Sequence, residues 1–334
     1  MKDEIIAHGR VGLLGNPSDI YFGQVISATI NKFKVNAMLK KAKEMNLLIN
    51  GNKGDEGFEK LVFSTVNYLK KQGIELEPFS IEAETDIPKQ AGLGGSAALI
   101  ISLLKGLNQT FNLELGIRKI SHYATKIEHE EIGITAGPQD RFVICCGGVK
   151  YMDFSSKNYE TYELEELDIS KIPFYVGVRS KNISSGDVHK FPYQKYPKSE
   201  KLQNIVAEIA QCAVKGRSAI KEGDLDTIGN LMNKNQKLTQ KYGTFGNPNQ
   251  RVKLQREIDQ EILDFCNENE VMGAKLGGSS GSIIILSDEK PEFLFDFKPS
   301  PSLLKKLEKF DKNPDQKQIS EIIELQPAPI YKNI

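Results

Sequence analysis

The residues best suited to chemistry begin at a run of glycines. Gly92-Leu93-Gly94-Gly95-Ser96-Ala97-Ala98 opens directly into a strongly apolar segment with helical character over 97–108. A helix N-terminus carries unpaired N–H groups and a partial positive charge. Glycines ahead of it let backbone N–H groups approach an anion. An apolar helix fixed in a core would make that site pre-organised. The plainer reading of the same residues is a tight turn with Ser96 as the helix N-cap. No GxxxxGK[ST] occurs, so this is not a Walker loop.

A second group of residues is acidic. Glu128, Glu130 and Glu131 fall at the end of a predicted helix, and Asp140 follows a Gly-Pro turn and precedes Arg141. Phosphoryl transfer needs a phosphate cradle, a metal site and a group that places the acceptor hydroxyl. Magnesium takes few carboxylates beside phosphate oxygens. Asp140 could orient or deprotonate a hydroxyl with a cation alongside. Taken one at a time, each acid reads first as a solvated or capping residue and only second as a functional one.

These groups must be positioned by a mixed set of elements. Strands are expected over 9–15, 24–30, 33–38, 79–83, 143–154, 174–179 and 282–286. Helices are expected over 56–71, 97–108 and 117–131, with 133–140 as a loop. Three long amphipathic helices follow, over 201–222, 225–241 and 251–269, then a last charged helix and a proline-containing tail. Ser, Gly and Pro accumulate over 181–197, the expected boundary between lobes at 1–185 and 186–334.

Composition excludes several classes. Of 334 residues, 44 are Lys or Arg and 44 are Asp or Glu, so no strong field favours nucleic acid or anionic membrane. No apolar run is long enough to span a bilayer, and the N-terminus lacks the layout of a signal peptide. Cys145, Cys146, Cys212 and Cys266 form no CxxC or zinc spacing and read as reduced core residues, which points to a cytoplasmic protein.

Three motifs in order resemble the GHMP kinases, the family of galactokinase, homoserine kinase, mevalonate kinase and phosphomevalonate kinase. They are Gly9–Tyr21, Pro88–Ala98 and Lys275–Gly281. The resemblance implies an α+β fold with two lobes: an N-terminal lobe like the second domain of ribosomal protein S5, and a helix-rich ferredoxin-like C-terminal lobe. It also implies ATP and Mg2+ as cofactors, with phosphate contacts from Gly92, Leu93, Gly94, Gly95, Ser96 and Ala97. Asp140 and Arg10 match the catalytic pair, and Ser96 and Glu128 match the metal ligands. Asp19 matches a residue that binds sugar hydroxyls.

Within the family, Gly15-Asn16-Pro17-Ser18-Asp19, Gly133–Arg141, Gly147–Phe154 and Ser185–His189 resemble the branch that phosphorylates glucuronate at its anomeric hydroxyl. Tyr21, Gly137, Arg141, Arg179, His189, Gly278 and Ser279 are then expected on the substrate side. A sugar-acid carboxylate calls for a cation, preferably arginine. Arg141, Arg179, Lys181, His189 and Lys190 are the candidates. The sequence departs from most relatives at Gly94-Gly95-Ser96 and at Gly277-Gly278-Ser279-Ser280-Gly281, and both changes keep small residues. Another sugar kinase, or a sensor binding sugar and ATP without turnover, would carry the same cradle. Oligomeric state is not encoded in these features.

Overall fold

A computed structural model describes residues 4–179, 186–309 and 318–331. In the first half, β1 (Ile5–Leu14), β2 (Gln24–Lys41), β3 (Asn46–Ile49) and β4 (Phe79–Thr85) enclose α1 (Glu56–Lys71) in the chain order. Then come α2 (Gly95–Phe111), α3 (Ile117–Lys126) with a π-helical turn at Ile127–Ile132, α4 (Gln139–Cys146), β5 (Val149–Asp153) and β6 (Glu163–Glu166). The sheet runs β3-β4-β2-β5-β6, with β1 on the other edge of β2. Helix α2 packs on β1 and β2, with Ala98, Ile101 and Leu104 fully buried. This rigid seat holds its N-terminus in place.

The second half contains β7 (Phe174–Arg179), α5 (Gly186–Lys195), α6 (Glu200–Glu222), α7 (Leu225–Gly243), α8 (Gln250–Glu268), β8 (Gly273–Leu276), β9 (Ser282–Leu286), α9 (Pro301–Leu307) and β10 (Ile319–Glu324). Its antiparallel sheet runs β10-β7-β9-β8. Strand β7, ahead of the expected boundary, is hydrogen-bonded into this second sheet. Lys181 and Ser185 lie outside the described residues.

Two expectations are corrected. Residues 143–146, expected as strand, form the end of α4, which stops where Gly147 takes φ 74°. The two early strands 24–30 and 33–38 are one strand, β2. It is held along one edge by β1 and along the other by β5 and then β4. Between those two partners Asn31 N–H donates to Gln326 O at 2.9 Å, so the tail after β10 fills the gap. The tail goes on to bond Gly148 and Cys146, and Tyr331 Oη lies 2.6 Å from His8 Nδ1. Ile319–Tyr331 therefore ties the second sheet back to the first.

The three motifs meet at one junction. Arg10 N–H donates to Leu93 O at 2.9 Å and Gly12 N–H to Gly277 O at 2.7 Å. A Cβ on Gly92 would strike the Ser280 carbonyl, and one on Gly281 would strike the Ala91 backbone. Lys275 is buried there, and its Nζ donates to Gly12 O at 2.8 Å, Asn16 Oδ1 at 2.9 Å and Leu276 O at 2.6 Å. The turn Asn16–Asp19 is held from a further side by Asn235, which accepts from Gly15 N–H at 2.7 Å.

Gly281 has φ 93° and Gly223 has φ 68°, but only Gly281 is packed against other backbone. Gly223→Ala is expected to cost about 1–2 kcal/mol, the left-handed penalty alone. Gly281→Ala is expected to cost about 2 kcal/mol more, because backbone must also move. Urea unfolding of the two variants checks this, and equal losses would mean that the junction is not tightly packed.

Candidate active site

The junction forms one wall of a cavity of about 960 Å³. Gly92, Leu93, Gly94, Gly95, Ser96 and Ala97 all line it. The N-cap of α2 is Gly94, in the left-handed region at φ 76°, with no side chain capping the helix. Ser96 is thus not the cap. Its hydroxyl donates to Glu128 Oε1 instead. The α2 N-terminus presents backbone donors to the cavity, an arrangement suited to phosphate.

Glu128 sits in the π-helical turn, a feature that recurs at functional sites. It is buried, and its second oxygen pairs with Arg141. Glu130 and Glu131 point elsewhere, to Lys126 at 2.8 Å and Lys71 at 2.6 Å. One of the three helix-end acids therefore faces the cavity, and two read as surface pairs. Among the described residues no three His, Cys, Asp or Glu side chains form a protein-only metal cage. A hydroxyl and one carboxylate beside an open helix N-terminus fit magnesium completed by phosphate oxygens.

Arg10 reaches across from β1 to Asp140 in the first turn of α4. Its Nε and Nη2 engage the two carboxylate oxygens, and Nη1 donates to Gly92 O. The pair is bidentate, which fixes the plane of the carboxylate. One guanidinium thus ties Asp140 to the glycine loop. Arg141 packs behind, with Nη1 donating to Gly137 O at 3.0 Å and lying 3.6 Å from Asp140 Oδ2. Burial pushes its guanidinium down to about 9, aided by Arg10.

Asp19 is buried beside Asp140 and accepts from Gln139 N–H at 3.2 Å. Gly137 leaves no room for a side chain between them, since a Cβ there would meet the Asp19 carboxylate. Burial first, and the neighbouring Asp140 second, raise the Asp19 carboxyl to about 6.

The far wall is built by the second lobe. His189, on α5, has Nε2 2.8 Å from Ser279 Oγ and Nδ1 3.2 Å from Tyr242 Oη. Tyr21 does not line the cavity. It supports the wall through a 3.1 Å contact between its hydroxyl and that of Tyr242. Gly278 and Ser279 line the cavity. Arg179 departs from expectation: it is 2 % exposed, off the cavity wall, and bound to Asp259 and Gln318. A buried guanidinium keeps its charge only with such partners, so it is spent on structure. Lys190 is exposed and also off the wall.

Sequence reading does not single out four further residues at this site: Gln139, which lies inside the Gly133–Arg141 segment, and Tyr242, Arg256 and Asp259. Tyr242, Arg256 and Asp259 sit on amphipathic helices whose polar positions look alike in sequence. Lys275 stood inside a motif, yet only the fold shows it holding Asn16.

Residues 60–148 match the family model described as GHMP kinases N terminal domain, and residues 217–295 match GHMP kinases C terminal. The chain is similar to Probable glucuronokinase 2 of Arabidopsis thaliana, 30% identical over 315 residues and covering 84% of this chain and 83% of that protein. It is 28% identical to Glucuronokinase 1 of the same plant, covering 84% of each. Among solved structures it resembles Lactococcus lactis galactokinase complexed with galactose, with TM-score 0.70, 18% identity and coverage of 97% and 96%. No helix among the described residues is long and apolar enough to cross a membrane.

The raised Asp19 carboxyl has a stability consequence with a defined sign. Between pH 3.8 and about 6 the folded protein holds a proton that the unfolded chain has released, so stability falls as pH rises through that window. Above it the loss is about 3 kcal/mol. Asp19→Asn is expected to raise the urea midpoint at pH 8 and to match the parent near pH 4. A parent that is the more stable at pH 8 would show that Asp19 is better solvated than its surroundings indicate.

Proposed function

The chain belongs to the GHMP kinase family, and on that premise we propose that it transfers the γ-phosphoryl group of ATP to the anomeric hydroxyl of a sugar acid, D-glucuronate in the first instance. The observation that carries this reading is the Arg10–Asp140 pair tethered to Gly92. It sets an acceptor-binding carboxylate and a phosphate cradle on one rigid unit. The two glucuronokinases that the chain resembles over most of its length support the sugar-acid acceptor.

ATP lies with its phosphates over Gly92–Ala97 and the α2 N-terminus. Ser96 and Glu128 would hold magnesium, which when bound neutralises charge on the phosphate oxygens. Asp140 accepts the hydrogen bond of the anomeric hydroxyl and aims its oxygen at the γ-phosphorus. The new oxygen–phosphorus bond forms as the bond to the β-phosphate oxygen breaks, and ADP leaves. The hydroxyl proton passes to Asp140 and then to solvent. Arg10 keeps Asp140 in position and places positive charge beside the transferring group. Asp19, which titrates near neutrality, contacts a sugar hydroxyl and can serve as donor or acceptor there.

Coupled ADP release with ATP and magnesium, across glucuronate, galacturonate, galactose, glucose and mevalonate, tests the reading. Turnover with glucuronate is expected. Turnover with a neutral sugar alone would keep the kinase and discard the sugar-acid acceptor, and ATP binding with no turnover on any acceptor would favour a sensor. Asp140→Asn is expected to lower kcat by ~100–1000-fold with nucleotide affinity retained. Near-normal turnover in that variant would remove Asp140 from the mechanism.

A further inference from the structure

A sugar-acid acceptor brings a carboxylate, and the arginines on the cavity wall differ sharply in what they have left to offer it. Arg10 is engaged by Asp140 and Gly92 O. Arg141 is engaged by Glu128 and Gly137 O, and only its Nε lacks a partner. Arg256, on α8, is different. Its Nη1 donates to Gly243 O, while its Nη2 is buried with no hydrogen-bond partner among the described residues.

No nearby acid absorbs the Arg256 charge in a direct pair. Asp259 is bound to Arg179 and accepts from Ser280 Oγ at 3.2 Å, and Glu257 pairs with Lys306 at 2.7 Å. The guanidinium lies against Gly243 and Gly246, and a Cβ on Gly246 would collide with Nη2. The chain thus makes room for an arginine head group between the main cavity, which Arg256 and Gly243 line, and the smaller pocket lined by Gly243 and Gly246, and leaves one of its donors unpaired. A buried, unpaired charged donor is unfavourable without a ligand to meet it.

Placement fits the acceptor's shape. A uronate pyranose carries its carboxylate on the carbon across the ring oxygen from the anomeric centre. Both carbons are bonded to the ring oxygen, so with the anomeric hydroxyl at Asp140 the carboxylate lies one ring atom further along the same edge of the sugar, where a cation lining the same cavity can meet it. Asp140, His189 and Arg256 all line the one cavity, and the His189 ring lies near enough to both charged groups to feel them. Tyr242 and Ser279, bonded to that ring, line the same stretch of cavity.

We infer that Arg256 is the cation that receives the acceptor's carboxylate and sets the preference for a sugar acid over a neutral sugar. This rests on the sugar-acid reading given above. The residue is a specificity determinant rather than a catalytic one, since the carboxylate takes no part in phosphoryl transfer. It also replaces Arg179, which the fold consumes elsewhere.

The test compares the parent with Arg256→Met, which keeps the apolar stem, and Arg256→Lys, which keeps the charge. KM and kcat for D-glucuronate are measured together with the Kd of a non-hydrolysable ATP analogue by calorimetry. The expected result for Arg256→Met is a rise in glucuronate KM on the order of 100-fold, with kcat within a few-fold and nucleotide Kd unchanged. Arg256→Lys is expected to raise KM by about 10-fold, having lost the fork but kept the charge. A purely structural role would instead move nucleotide Kd and the urea midpoint with KM. If Arg256→Met does not fold, an unchanged KM in Arg256→Lys overturns the inference. A parent that phosphorylates glucuronate beside variants with unaltered KM overturns the Arg256 assignment and leaves the sugar-acid reading standing. A parent that accepts only neutral sugars overturns both.

Discussion

Everything in the cavity depends on a place where three stretches of backbone touch with no side chains between them. Gly92 abuts Ser280, Gly281 abuts Ala91, and Gly12 N–H donates to Gly277 O. Close approach of main chains is what glycine alone permits. Polar groups at the contact find partners close by: Gly12 N–H meets Gly277 O, Gly92 O accepts from Arg10 Nη1, and Gly281 O accepts from Arg179 N–H. Lys275 completes it: a buried ammonium with three oxygen acceptors links the first motif to the third. Burial pushes this ammonium down to about 7, and the three acceptors satisfy the donors that burial has taken from water. A phosphate loop built on such a junction cannot shift without disturbing both lobes.

The charged groups around Asp140 follow a different logic from stability. Asp19, Glu128 and Asp140 are set against Arg10 and Arg141 in a largely buried cluster. Desolvating such groups is expensive, and an apolar replacement of the same shape would often be the more stable. What the cluster supplies is orientation. Asp140 is gripped at both oxygens, and its guanidinium partner is itself gripped by the glycine loop. The excess negative charge leaves the site suited to a cation or a proton, and burial raises the Asp19 carboxyl to about 6.

Sequence patterning was informative where a single element decides the outcome. The apolar spacing of Phe58, Val62 and Leu69 marks α1, and the three long amphipathic helices fall within one or two residues of their predicted ends. Patterning failed where long-range partners decide. Val143–Cys146 is a short apolar run that suits a strand as well as a buried helix. It is a helix because the chain turns at Pro138 and again at Gly147. Asn31 and Lys32 look like a break between strands, yet β1 and the returning tail hold β2 continuous. Arg179 and Arg256 show the same limit for the site. Both are arginines in amphipathic surroundings, and only the fold reveals that Asp259 is bound to the first and leaves the second without a direct pair.

The two lobes contribute unequally to what the cavity can recognise. The phosphate cradle, Arg10, Asp19, Glu128 and Asp140 all come from the first lobe, on elements locked together by α2 and the central sheet. His189, Tyr242, Arg256 and Ser279 come from the second, on α5, α7, α8 and a loop, with α7 and α8 packed against β8 of the separate sheet and α5 packed on α7. On the reading proposed here, the phosphoryl-transfer groups all stand on the first lobe, and the acceptor is held between Asp19 and Asp140 of that lobe and the side chains of the second. The tail from β10 to Tyr331 sets the condition for this arrangement. By bonding β2, Gly148 and His8, it ties the sheet behind the far wall to the sheet behind the phosphate cradle, so that the two walls of the cavity are held by one continuous set of backbone contacts.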